Sequence, residues 1–499
     1  MASPSTTTDN PLLALIRRQA NEYATKPYLL DARSSRVLRY DQLCDEVDEH
    51  RRQLQSWGLA PGQRFALVVA DPLTFASWFL AAIAVGAWVA PLDPTSGGLT
   101  ASSARALTLG SLFVVSDQSP PDGSITWISA SLPVSGSADA FADAGIQRGG
   151  IVLSSSGTTG TPKVMALSVE QLVAAAEIIA RHHRFVDSDR GFNPLPLWHV
   201  NAEVVGLLAT LVAGSSLVLD ERFHRTGFWN LVNSYNATWI NAVPAIISRL
   251  CELHDGEAPS PRVRFVRSAS APLAPALFER FEAEIGLPII QSYGMTEAAS
   301  QICVTPIEGT RKPGSVGVPA GVEVRVRGEG AQAGPIEIRG PTVIRRYESP
   351  GYEERFDADG WLRTGDLGYF DEDGYLFIVG RSDDVINRGG EKIYPLEIEQ
   401  ILADVKGVGR AAVIGRADDV FGHVPVAFVQ PTEDVALSSP EELAALVDRV
   451  RVAANERLSS THRPVLVQVV AEFPLHATGK VHTSSLRQDE VTVVYEERL

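Results

Sequence analysis

Residues 64–93 read RFALVVADPLTFASWFLAAIAVGAWVAPLD. A short β-branched run, a longer apolar stretch of helical length and a second short run follow one another. Strand, helix, strand is the unit from which parallel α/β layers are built. The middle stretch is apolar enough to invite comparison with a membrane span. Its Ala and Gly content, the stop at Pro91 and the acid at Asp93 instead predict a buried helix running into a buried strand, with no stable membrane insertion. The alternation returns at SLVLD (216–220), WNLVNSYNA (229–237), TWINAV (238–243), PAIISRLCEL (244–253) and VRFVRSAS (263–270), with no solenoid repeat. After about residue 310 the texture changes to Gly-rich short strands, GVEVRVRG (321–328), GPIEIRG (334–340) and YLFIVG (375–380). These predict an antiparallel, β-barrel-like subdomain. The last segment mixes strands and helices around a polar patch, TEDVALSSPEE (432–442). The expected class is therefore α/β: a large N-terminal domain of layered α/β subdomains with a small barrel-like subdomain, and a small α+β C-terminal domain. The boundary is placed at the charged turn GRSDD (380–384), giving domains 1–380 and 381–499.

At 499 residues the chain exceeds the usual extent of one hydrophobic core and has ample interior for a small-molecule pocket. A formal charge of −16 opposes a broad basic footprint, so neither nucleic acid nor an anionic membrane is an expected partner. Cys44, Cys251 and Cys303 are scattered without metal-ligand spacing and read as reduced thiols. The opening MASPSTTTDN lacks the basic and apolar regions of a signal peptide, which predicts a cytoplasmic location. The oligomeric state is not legible, and a homodimer is one state open to the chain.

Between a strand-like GGIVLS (149–154) and a helix-like SVEQLVAAAEIIA (168–180) lies SSSGTTGTPK (154–163). Gly157 and Gly160 are three apart and Pro162 precedes Lys163, which is not the spacing of the NTPase P-loop. The residue types still offer anion binding. Glycines let backbone N–H groups turn toward phosphate oxygens, hydroxyls add donors, and Lys163 supplies a positive charge.

Four further blocks follow: SYGMTE (292–297), WLRTGDLGYFDEDGYLFIVGR (361–381), DDVINRGGEKIYPLEIE (383–399) and HATGKVHTSSLR (476–487). With GTTGTPK these five blocks resemble, in order, those of the adenylate-forming superfamily, most closely its acyl-CoA synthetases of the 4-coumarate and oxalate branches. The resemblance spans nearly the whole chain. It implies an ATP- and Mg²⁺-dependent ligase that joins a carboxylic acid to AMP, expels pyrophosphate and transfers the acyl group to CoA. Such a site must screen several negative charges as two anions meet. By the same resemblance Ser155, Thr158, Thr159, Gly160 and Lys163 line the β- and γ-phosphates. Thr296 donates to the α-phosphate, and Glu297 is the metal ligand, a carboxylate suited to a hard cation. Tyr293 offers a ring to adenine beside Gln291 and Ser292, while Asp366 and Arg381 hold the ribose. Lys480 is the catalytic lysine and Lys392 a further phosphate contact. Asp383 falls at the hinge of a mobile C-terminal domain, whose Gly389–Gly390 edge lines the passage for the thiol.

His199, in PLPLWHVN (194–201), matches the gate between the ATP and acyl sites. A lone His is more often structural than catalytic. The implied acyl pocket draws on His199, Asn201, Ser268, Ala269, Gly294, Met295 and Ser300. These small and polar residues predict a small or aromatic acid with a polar substituent rather than a long alkyl chain. Three departures matter. Val164-Met165 follow Lys163 where the family has Gly-Val, the gate reads HVNA without a second His, and Ser300 stands where the oxalate enzymes have a His. A CoA-independent enzyme passing the activated group to an amine or carrier protein remains open, as does a diazotase using nitrite and an aryl amine. A regulatory nucleotide binder is disfavoured because Lys480, Glu297 and Asp366 are all present.

Overall fold

A computed structural model describes residues 10–95, 98–118, 125–130, 149–155, 163–253, 257–328, 333–432, 435–475 and 481–499. The predicted unit is present as the strand Arg64–Val68, the helix Pro72–Ala84 and the strand Trp88–Pro91, the two strands pairing in parallel with Phe65 opposite Val89. Asp71 caps the helix by accepting from the Thr74 amide at 2.8 Å, with Pro72 in the first turn. Every residue from Phe75 to Ala84 is buried. A helix apolar on all sides needs cover on all sides, and this one touches both large sheets.

The first of those sheets has six strands in the order Thr126–Ser129, Phe113–Ser116, Arg64–Val68, Trp88–Pro91, Gly150–Ser155, Lys163–Ser168, parallel except for the last pair. In the second, with nine strands, six central parallel strands run from Pro27–Asp31 through Ser216–Leu219, Arg190–Asn193, Trp239–Ala242 and Phe265–Ser268 to Ile289–Tyr293. The main core lies between the sheets, joining Phe65 and Leu67 of one to Leu29 and Leu217 of the other through the helices Pro72–Ala84 and Val169–His182.

The helix expected over 168–180 is present as Val169–His182. Ahead of it Lys163–Ser168, not assigned as a strand from the sequence, is a strand antiparallel to Gly150–Ser155, with Ser155 opposite Lys163. Residues 156–162, between the two strands, lie outside the described residues. Apolar alternation in KVMALS was the second strand's only sequence trace.

Residues 323–381 form an open antiparallel sheet of Glu323–Val326, Gly334–Arg339, Leu362–Phe370 and Leu376–Arg381. Register shifts between Pro335 and Glu337 and between Leu367 and Gly368 bend its strands and curl it. The smaller C-terminal domain has its own six-stranded sheet and core, where Ile393, Leu402, Leu446 and Val467 pack together. Its first hairpin turns through Gly389 and Gly390, both at positive φ (61° and 98°). Among the described residues no helix is long and apolar enough to cross a membrane.

Candidate active site

The C-terminal end of the nine-stranded sheet faces the curled sheet. Tyr293, the last residue of its strand, donates its hydroxyl to Asp366 Oδ2 at 2.5 Å. Asp366 lies in the strand Leu362–Phe370, and its other oxygen accepts from Arg381 Nη1 at 2.8 Å. The sequence-predicted Tyr293, Asp366 and Arg381 are thus one cluster, in which each carboxylate oxygen accepts one hydrogen bond and keeps a lone pair for another. Gly365, at φ 84°, leaves room for two guanidinium groups: a Cβ there would lie 2.9 Å from Arg355 Nη1 and 3.0 Å from Arg381 Nη2. Lys163 stands over the Tyr352 ring at 5.1 Å. Burial, and after it the neighbouring charge of Arg355, pulls its ammonium below the usual lysine range. Lys163, Arg355 and Arg381 therefore converge beside Asp366, Glu297 and Asp383, a mixed cluster whose cations can meet phosphate oxygens.

Residues 294–300 fold tightly after Tyr293. A Cβ on Gly294 would fall 1.3 Å from the Ser300 carbonyl oxygen, so that position requires glycine. Thr296–Ala298 make one 3₁₀ turn, followed by Ala299 and Ser300 at φ 50° and 92°. Strained non-glycine backbone of this kind gathers at ligand sites. Glu297 is buried, and its Oε1 accepts from the Tyr347 hydroxyl at 2.9 Å. Among the described residues Tyr347 is its only side-chain donor, which leaves Oε2 available to a cation. No described group of three or more His, Cys, Asp or Glu gathers to form a metal site, so a divalent ion here would draw most of its ligands from phosphate and water.

His199 and Asn201 precede the π-helical segment Ala202–Leu208. Burial lowers the His199 pKa, so the ring is neutral at pH 7, and its buried Nε2 has no partner among the described residues. Ser268 Oγ and Gln291 Oε1 are likewise buried and find no partner among the described residues. Asn201 reaches Ser270 Oγ at 3.4 Å, and Ser270 is itself at φ 74°. Ala269 and Met295 lie in the same two loops. Sequence reasoning missed the buried Arg267, which donates to Asn201 Oδ1 at 2.8 Å and to Ser292 Oγ at 3.0 Å. It also missed Asn241, Tyr347 and Arg355. A charged residue inside the buried strand of VRFVRSAS was the available signal for Arg267.

Lys392 is exposed on the strand Glu391–Ile393, and no described contact ties it to the Asp366 cluster. Ser155 ends its strand, and nothing further is described of its side chain. Thr158, Thr159, Gly160 and Lys480 lie outside the described residues.

Residues 151–348 match the AMP-binding enzyme family, and residues 397–480 match the AMP-binding enzyme C-terminal domain. The chain is 34% identical to the sulfoacetate–CoA ligase of Cupriavidus necator over 95% of its own length and 97% of that protein's. It belongs to the AMP-binding, adenylate-forming enzymes. The family's architecture extends through the whole chain. ATP-bound MatB from Rhodopseudomonas palustris superposes with a TM-score of 0.83 at 27% identity, covering 97% of this chain and 99% of that one. The o-succinylbenzoate CoA synthetase of Bacillus subtilis, in complex with ATP and magnesium, gives 0.81 at 25% identity over 95% and 99%. As an adenylate-forming ligase, the protein activates a carboxylic acid at the expense of ATP.

Proposed function

We propose that this ligase passes its activated acid to CoA, with ATP and Mg²⁺ as co-reactants and a small carboxylic acid as substrate. The observation that carries the reading is the cluster of Tyr293, Asp366 and Arg381, set beside Lys163, Arg355 and Glu297. A carboxylate that can accept from ribose hydroxyls and a group of cations for phosphates are what a nucleoside triphosphate requires. Acyl transfer to CoA is supported by the names of the similar proteins, a sulfoacetate–CoA ligase and an o-succinylbenzoate CoA synthetase.

On this reading a carboxylate oxygen attacks the α-phosphorus, the new P–O bond forms and the bond to pyrophosphate breaks. Lys163, with Ser155, Thr158, Thr159 and Gly160, screens the departing charge. Thr296 and Lys480 stabilise the α-phosphate and the incoming carboxylate, Lys480 as a compact ammonium able to satisfy several oxygens. Gln291 and Ser292 border adenine beside Tyr293, and Lys392 is a peripheral phosphate contact. Mg²⁺, when bound, would neutralise phosphate oxygens with Glu297 as its protein ligand. His199, neutral and unpartnered, separates this region from a pocket of Asn201, Ser268, Ala269, Gly294, Met295 and Ser300. The chain divides at residues 380 and 381. The second domain rotates so that the Gly389–Gly390 turn replaces Lys480, and the thiol then attacks the acyl carbonyl and AMP leaves.

The test is acid-dependent exchange of labelled pyrophosphate into ATP without CoA, followed by thiol consumption and AMP release when CoA is added. Both are expected. Exchange without thiol consumption would move the acceptor to an amine or carrier thiol, and absence of exchange with every acid would overturn the reading.

A further inference from the structure

We propose that Arg267 reads a second negative charge on the acid, making the substrate a small carboxylic acid that carries an additional carboxylate or sulfonate. This rests on the ligase reading above and adds the class of acid to it.

Arg267 sits in the strand Phe265–Ser268 and is fully buried. A guanidinium has five N–H donors and no acceptor. Here Nη1 donates to Asn201 Oδ1 at 2.8 Å and, at 3.4 Å, to Asn241 Oδ1, while Nη2 donates to Ser292 Oγ at 3.0 Å. All three partners are neutral. Among the described residues no carboxylate pairs with Arg267, and its buried Nε–H has no acceptor. Burial pulls the guanidinium down to about 9, so it remains cationic at neutral pH. A fold seldom buries a charge without a counter-charge, and one that arrives with the ligand meets the requirement.

The neighbours place this cation at the acyl pocket. Asn201 is two residues past His199 and reaches Ser270, and Ser292 lies between Gln291 and Tyr293. Asn241 is anchored in turn, donating to Asn193 Oδ1 at 2.9 Å, while Asn193 donates to the Leu195 carbonyl at 2.8 Å. The amides thus orient the guanidinium without neutralising it. His182 and His183 feel the Arg267 charge, and burial followed by that charge holds both imidazoles below their usual range, so neither supplies a counter-charge. A hydroxyl or amide on the substrate would satisfy Nε–H, but only an anion also supplies the missing charge.

The experiment compares acids of matched shape: succinate with succinamate, sulfoacetate with methylsulfonylacetate, and phthalate with phthalamate, each with ATP, Mg²⁺ and CoA. The expected result is a kcat/KM for AMP release on the order of 100-fold higher for the dianion in at least one pair. Turnover of the neutral partner as fast or faster in every active pair would overturn the charge assignment and leave the ligase reading intact. Absence of acid-dependent AMP release with every acid would overturn both. In Arg267→Met the dianion should lose about 100-fold in kcat/KM and the neutral partner less than about tenfold, and Arg267→Lys should recover part of the loss. A parallel fall for both acids would mark a purely structural arginine. If the Met variant does not fold, the comparison on the unsubstituted protein and on Arg267→Lys decides.

Discussion

Tyr293 was expected to serve through its ring, yet its hydroxyl makes the contact that joins two subdomains. The bond to Asp366 is charge-assisted and partly buried, and burial followed by the Asp366 charge holds the phenol well above its usual range, so it stays a donor. In Tyr293→Phe, Asp366 keeps only Arg381 and loses its fixed position under the ribose. Such a bond is worth about 1–2 kcal/mol. The expected outcome is a KM for ATP raised roughly tenfold with kcat within about twofold, since uniform binding is what is lost. Steady-state kinetics at saturating acid checks this, and a fall confined to kcat would contradict it. At this scale the motif residues were legible because each sits in a block with a recognisable neighbourhood. Arg267 and Tyr347 were not, because a lone Arg in an apolar strand and a Tyr fifty positions from Glu297 acquire meaning only through contacts across the fold.

The hairpin Gly150–Ser155 and Lys163–Ser168 holds Lys163 at the first position of its second strand. Its register depends on close backbone approach: a Cβ on Gly150 would lie 2.0 Å from the Leu167 carbonyl oxygen, and one on Gly149 2.0 Å from that of Ala87. Gly150→Ala should therefore destabilise the protein by at least about 3 kcal/mol, because the colliding atom is backbone and cannot swing away. Gly58→Ala is the control. There φ is 84° but nothing lies within 4 Å, so only conformational strain of about 1 kcal/mol is incurred. Thermal melting of the two variants separates the effects, and equal shifts would contradict the argument. The sequence predicted strands, helices and their alternation well. It left residues 164–167 unassigned and so did not show this hairpin, because strand pairing is a long-range choice.

Across the whole molecule, the N-terminal layers and the C-terminal sheet keep separate cores, and the chain passes between them at Arg381–Ile386. Few ties hold that crossing: the Ser382 amide donates to the Gly365 carbonyl at 2.9 Å, and Arg487 pairs with Asp384 at 2.8 Å. If the second domain rotates about Asp383, Asp383→Pro, which fixes φ near −65°, should keep acid-dependent pyrophosphate exchange within severalfold and cut thioester formation at least tenfold. Equal loss of both half-reactions would argue against a hinge there. The amino-acid sequence by itself determined the α/β class, the two-domain layout and the nucleotide blocks, because these rest on local periodicity and on short contiguous runs. Only the tertiary structure decided that Asp366 is shared between Tyr293 and Arg381, that Arg355 joins the cations, and that Arg267 is buried with no carboxylate partner among the described residues. Charge neutralisation is settled by which groups meet in low-dielectric surroundings, and those meetings join residues far apart in the chain.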